Sequence, residues 1–239
     1  MFNPNVSMPT SNLKRLIPAP IKRAAKDALR RRRFLQAMRM LRQLPIGELP
    51  DRKLLIELQA GWGNESFAAR SDYLEEVIRR AATTTGPILE CGSGLTSILM
   101  GLFAGRRGIQ TWSLEHTPEW RDRLVATLKN NAITNVNVLL SPMRDYGGFS
   151  WYDPQAGVLP ERFSMVVCDG PPGTTAGGRY GLLPVLGSRL SSETLILVDD
   201  ADRKGEAHVL RRWSVEFGLD VVLKESATGG FALVSGPKV

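Results

Sequence analysis

The chain is 239 residues long, 43% hydrophobic and 23% charged, with a formal net charge of +7. A chain of this size and composition is not disordered throughout, and it buries roughly 70 to 75% of its unfolded surface, enough for a core without disulfide or metal. Two cysteines, Cys91 and Cys168, exclude a disulfide framework and a four-cysteine zinc site, and no run of ~18 apolar residues is present to span a membrane. No apolar targeting segment precedes a small-residue cleavage site, so a cytoplasmic protein is expected.

Residues 1–20 are rich in Pro, Asn and Ser and read as a lead-in. From Ile21 to Leu44 apolar residues recur near helical spacing, at Ile21, Ala25, Ala28, Leu35, Met38 and Leu41. Residues 1–45 carry eleven Lys and Arg against Asp27 alone, which leaves the rest of the chain mildly acidic. Residues 1–50 therefore read as a basic helical extension with three candidate roles. It is a solvated or subunit-packing helix, a peripheral contact with an anionic membrane surface, or a nucleic-acid contact. The last needs stacking aromatics, and Phe34 is alone among the arginines.

Residues 51–239 read as one domain, with leading helices over 51–86 and a core over 87–239. Asp51 is a good N-cap for a helix to Ala60, ended by Gly61-Trp62-Gly63-Asn64. Asn64 either forms a simple turn or closes over a ligand. Helix resumes through Phe67, Tyr73, Leu74, Val77 and Ile78 and fades at Thr83-Thr84-Thr85-Gly86. After Pro87 come apolar runs at Ile88–Cys91, Gln110–Leu114, Val136–Leu140, Phe163–Cys168 and Thr194–Val198. Helical stretches are predicted at Leu95–Ala104, Glu119–Asn131, Tyr180–Leu190 and Lys204–Phe217. Strands apolar throughout and separated by helices are what a parallel sheet covered on both faces requires. The runs Val221–Leu223 and Phe231–Val234 lie too close for a crossover helix, so they form an antiparallel hairpin at a sheet edge.

In such a sheet ligands bind beyond the carboxyl ends of the strands, and here those ends are acidic. The first ends in Glu90-Cys91-Gly92-Ser93-Gly94, a turn whose glycines let backbone approach a ligand ahead of free helix N–H groups. The second ends in Glu115, a carboxylate able to accept both hydroxyls of a ribose. The fourth ends in Asp169-Gly170-Pro171-Pro172-Gly173, and the fifth in Asp199-Asp200-Ala201-Asp202.

Residues 62–235 resemble the class I S-adenosylmethionine-dependent methyltransferases. Glu90-Cys91-Gly92-Ser93-Gly94 is similar to their first motif and Ser113-Leu114-Glu115 to their ribose-binding strand end. Val167-Cys168-Asp169-Gly170-Pro171-Pro172 is similar to the fourth motif, and Leu197-Val198-Asp199-Asp200 to the fifth strand. The resemblance implies an α/β, Rossmann-like doubly wound sheet of strand order 3-2-1-4-5-7-6 with strand 7 antiparallel. It implies S-adenosylmethionine as cofactor, with Gly92, Ser93 and Gly94 beneath its methionine part, Glu90 orienting the ammonium, Glu115 on the ribose and Met143 beside adenine. Thr96 stands where the family's loop has a third glycine. A nicotinamide dinucleotide is the rival ligand, but its fingerprint wants glycine where this chain has Ser97.

The fourth motif lacks the aromatic that stacks a base, Gly173 standing in its place, which disfavours methylation of a base amine. A hydroxyl of a small molecule or sugar is the expected acceptor, with Asp169 as catalytic residue. Asp169, Asp199 and Asp200 are hard oxygen donors suited to Mg²⁺, an arrangement that resembles cation-dependent O-methyltransferases; the alternative is direct contact by Asp169 with helix capping by the pair. His116 and His208 read as rim or surface residues. Trp151 and Tyr152 line an acceptor pocket or pack under a loop. Cys91 and Cys168 are explained as buried thiols on neighbouring strands. A nucleic-acid-associated protein using the basic arm is the alternative of a different class, with steep salt dependence as its mark.

Overall fold

Apolar runs that alternate with helices condense into one sheet because each strand must bury both faces. The computed structural model describes residues 18–63, 69–226 and 229–235, the side chains of Ala156 and Ser226 excepted. In chain order, α1 (Ala19–Gln43), α2 (Arg52–Trp62) and α3 (Ser71–Thr83) lead into β1 (Ile88–Cys91), α4 (Leu95–Phe103), β2 (Thr111–Glu115), α5 (Pro118–Asn130) and β3 (Val136–Leu140). Then follow β4 (Met143–Asp145), β5 (Ser150–Tyr152), β6 (Met165–Cys168), α6 (Leu182–Leu186), β7 (Leu195–Val198), α7 (Lys204–Phe217), β8 (Val221–Ser226) and β9 (Gly229–Ser235). The main sheet runs β3-β2-β1-β6-β7-β9-β8, parallel except for β9, which is antiparallel to both neighbours. Counted over the strands of that sheet, this is the expected 3-2-1-4-5-7-6. The chain moves outward in opposite directions from β1 and β6, so their carboxyl ends flank the topological switch point.

Alternate strand residues feed two cores. Ile88, Met165, Val167 and Leu197 pack with α1 to α5 on one face. Leu89, Cys91, Val166, Cys168, Ile196 and Val198 pack with α6, α7, Trp151 and Tyr152 on the other. Cys91 and Cys168 are register partners, both buried and free.

Four details differ from the sequence reading. The segment between β3 and β6 holds a two-stranded antiparallel sheet, Met143 opposite Tyr152, where no strands are expected. The stretch predicted as helix over Tyr180–Leu190 is only the short α6 between 3₁₀ turns, since Gly181, Pro184 and Gly187 break it up. The second helix continues through Gly61 and Trp62 to a left-handed Gly63, with Asp51 capping it through Leu54 N–H at 2.7 Å. Finally, the docking stripe of α1 is Phe34, Ala37, Met38 and Leu41, whereas Ile21 and Leu35 are exposed.

That stripe joins the same apolar cluster as Leu55, Leu58 and Ile98, so residue 50 does not divide two packing units. Gly61 explains the close seating of α1: a Cβ there would lie 2.5 Å from the backbone nitrogen of Phe34. The first half of α1 stands exposed. No described helix is long and apolar enough to cross a membrane. Asn64 and Phe67 lie outside the described residues.

Candidate active site

Four strand ends build the rim: Gly92–Gly94 after β1, Glu115 at β2, Asp169 after β6, and Asp199-Asp200 after β7. The β1 and β6 turns touch backbone to backbone. The N–H groups of Asp169 and Gly170 both donate to Cys91 O, at 3.0 and 2.6 Å. Gly92 adopts φ +85, and a Cβ on it would meet Gly170 N at 2.9 Å, so glycine is demanded there by conformation and contact alike. A Cβ at Gly94 meets no atom within 4 Å, so backbone at the α4 N-terminus borders open space where a ligand can lie.

Glu115 is almost fully buried yet rich in partners. Its Oε2 accepts from Ser93 Oγ at 2.7 Å and Ser93 N–H at 3.3 Å, and its Oε1 from Thr117 N–H at 2.9 Å. His116 Nδ1 lies 3.3 Å from Oε1. The indole N–H of Trp120 donates to Ser93 O at 2.8 Å, and Trp120 packs edge-on against Trp62. Arg123 stacks on both rings, 4.4 and 4.6 Å from their centroids. The glycine turn is thereby tied to the end of α2. Trp120 was not among the residues singled out in the sequence; an aromatic one turn into the helix after Glu115 is a weak signal by itself.

Glu90 differs from expectation. It has no accessible surface, and its two oxygens accept from the hydroxyls of Thr96, Ser97 and Ser113. Burial pushes its carboxyl up to about 8, against the lowering effect of those hydroxyls. It braces the turn from beneath, and a direct contact with a ligand's ammonium group is not open to it in this conformation. Thr96, in place of the third glycine, supplies one of the braces. Met143 is half-buried at the start of β4, close behind the end of β3.

Asp169, Asp199 and Asp200 do converge, with one carboxylate oxygen from each within 4.8 Å of the others. Consecutive strand residues normally face opposite ways; Asp200 breaks the alternation by adopting φ +57. Burial, then the charge of Asp199, push the Asp169 carboxyl well above the usual range, with Arg179 opposing. Asp199 is pushed up to about 6 by burial and by Asp200.

The expected Mg²⁺ site nevertheless already holds a cationic side chain. The Arg179 guanidinium lies 3.3 Å from Asp169 Oδ1, 3.5 Å from Asp200 Oδ2 and 3.7 Å from Glu206 Oε1. Arg203 reaches Asp200 Oδ2 at 3.0 Å, and Arg70 reaches Asp200 Oδ1 at 3.9 Å. The oxygens fit a cation in spacing, but a guanidinium, always protonated, already lies against two of the three acids. Sequence reasoning passed over Arg179; the available signal was a lone cation between Gly177-Gly178 and the apolar Tyr180-Gly181-Leu182-Leu183.

His208 is exposed on α7. Trp151 and Tyr152 are wholly buried, and a Cβ on Gly170 would lie 2.4 Å from the Tyr152 hydroxyl. They pack under the rim rather than line an open pocket.

No family model matches the sequence, and no curated protein matches it. Solved structures do. The methyltransferase PaMTH1 of Podospora anserina, bound to S-adenosylhomocysteine (SAH), is 13% identical with a TM-score of 0.55, covering 99% of this chain and 100% of that one. An O-methyltransferase from Bacillus cereus in complex with SAH is 11% identical with a TM-score of 0.54, covering 84% and 97%. The O-methyltransferase TomG from Streptomyces achromogenes, in complex with S-adenosylmethionine, is 12% identical with a TM-score of 0.54, covering 87% and 99%. At these identities the likeness establishes the fold, which is the Rossmann-like fold of the S-adenosylmethionine-dependent methyltransferases.

Proposed function

We propose that the protein transfers a methyl group from S-adenosylmethionine to a hydroxyl of a small molecule or sugar. One observation carries the reading. The open backbone at Gly94, the ribose-type acceptor Glu115 and the Asp169 carboxylate share one rim at the switch point of a methyltransferase fold. The residues fit the cofactor, with Gly94 beside open space and Glu115 already accepting a hydroxyl, that of Ser93. Bound S-adenosylmethionine supplies an electrophilic methyl carbon.

The chain's own part is alignment, exclusion of water and handling of one proton. Gly92 to Gly94 would hold the amino-acid portion, and Glu115 would accept the ribose hydroxyls in place of Ser93 Oγ. The methyl group would go to the acceptor oxygen while the carbon–sulfur bonding pair stayed with sulfur. The hydroxyl proton would pass to the Asp169 carboxylate, whose affinity for protons is raised by burial and by Asp199. Calorimetry with SAH and with NAD, followed by turnover with catechol and sugar acceptors, tests this. SAH binding is expected, and tight NAD binding with silence toward SAH overturns the reading. Asp169→Asn is expected to lose at least ~100-fold in turnover while retaining SAH affinity.

For the exposed half of α1 we propose contact with an anionic membrane surface. Lys22, Arg23, Lys26 and Arg31 to Arg33 are exposed there beside Ile21 and Leu29. Co-sedimentation with anionic but not neutral vesicles, lost on deleting residues 1–33, is the expected result. Binding of RNA or DNA that falls steeply with salt would favour the nucleic-acid alternative instead.

A further inference from the structure

Arg179 is 3% exposed, lies within 4 Å of three carboxylates and has no part in the proton transfer above. Its Nη2 donates to the main-chain oxygen of Asp169 at 2.8 Å and its Nη1 to the main-chain oxygen of Asp199. These two carbonyls cap neighbouring strands, so the guanidinium is pinned across the ends of β6 and β7.

We infer that Arg179 is the resident cation of the acceptor site, standing where a divalent ion would sit between Asp169 and Asp200, so that the site works without a metal. The inference rests on the methyltransferase reading. A divalent ion joining Asp169 and Asp200 would have to share their oxygens with a guanidinium already fixed against both. Arg203 adds a second guanidinium 3.0 Å from Asp200 Oδ2. The main-chain anchors oppose a swing that would vacate the place. Arg179 is then a positioning residue: it turns Asp169 Oδ1 inward and keeps the carboxyl at the rim, where a quarter of the Asp169 side chain remains exposed.

The test is Mn²⁺ uptake by the full chain, read from loss of the free-ion paramagnetic resonance signal, with and without saturating SAH. Wild-type protein is expected to take up no saturable Mn²⁺ at millimolar concentration. Arg179→Gln is expected to gain about one ion per chain, the normal occupancy of such a site. Arg203→Gln removes an equal charge from the exposed side of Asp200 and is expected to gain none. A purely structural arginine would not separate the two variants. The inference is overturned if wild type binds one equivalent that Asp200→Asn abolishes, if folded Arg179→Gln binds none, or if both arginine variants gain alike. Should Arg179→Gln fail to fold, the wild-type and Asp200→Asn measurements decide. Heat released by SAH in the same samples reports separately on the methyltransferase reading, since Mn²⁺ uptake is also measured in its absence.

Discussion

Two buried glutamates, 25 residues apart in the chain, have been put to different uses by their neighbours. Glu90 faces three hydroxyls and no solvent, and holds its proton up to about pH 8, compared with an ordinary value of 4.5. Between those values the folded chain keeps a proton that the unfolded chain has released. The stabilisation from Glu90 is therefore complete below pH 4.5 and is lost as pH rises through about 8. Glu90→Gln stays neutral and is expected to flatten that part of the stability profile, measured by urea unfolding at about pH 5 and about pH 8. Glu115 instead collects donors at the rim. Glu115→Gln keeps the shape but loses the charge that two ribose hydroxyls would share, and SAH affinity is expected to fall about 10- to 100-fold by calorimetry, matching ~1.5–3 kcal/mol for bonds to a charged group. An unchanged affinity would remove Glu115 from the cofactor site.

At the scale of elements, the site depends on close approach. The β1 and β6 turns pass each other at Gly92 and Gly170, and the α1–α2 crossing is possible because Gly61 has no side chain. Gly61→Ala must separate the helices or bend one, at ~1–3 kcal/mol. Its effect is expected as lowered unfolding stability together with faster proteolysis within α1. A variant as stable as wild type would mean that the crossing is looser than 2.5 Å implies. The same helix pair reaches the site through Trp62, Arg123 and Trp120, whose indole holds the Ser93 carbonyl. Packing on the leading helices thus bears on the conformation of the glycine turn.

For the molecule as a whole, the basic arm and the domain interpenetrate. The exposed part of α1 carries most of the charge, while Phe34 to Leu41 seal the lower core. Arg42 donates to Asn131 O, and Arg106 donates to Leu41 O at 3.0 Å, adding polar ties to that seal. Deleting residues 1–33 is expected to leave thermal stability within a few degrees of wild type. Deleting residues 1–50 uncovers Leu55, Leu58 and Trp62 and is expected to give a poorly folded or aggregating chain, as scanning calorimetry and gel filtration would show. Equal behaviour of the two deletions would contradict the shared core.

Periodicity and turn residues are local, and what they govern was legible from the start. The parallel strands, the terminal antiparallel pair, the glycine turn and the acids at the strand ends all follow from residues a few positions apart. The rim and its resemblance to a methyltransferase are therefore visible in the sequence. What surrounds each acid was not legible, because those partners lie far along the chain. Arg179 meets Asp199 across 20 residues, Ser113 meets Glu90 across 23, and Arg42 meets Asn131 across 89. No local pattern encodes such meetings; they arise only when the sheet closes and its two faces are covered. Local residue order sets which side chains stand at the strand ends. The closed fold decides which of them stand open at the rim, which brace a turn and which lie against an arginine, because burial and neighbouring charge are properties of the assembled chain.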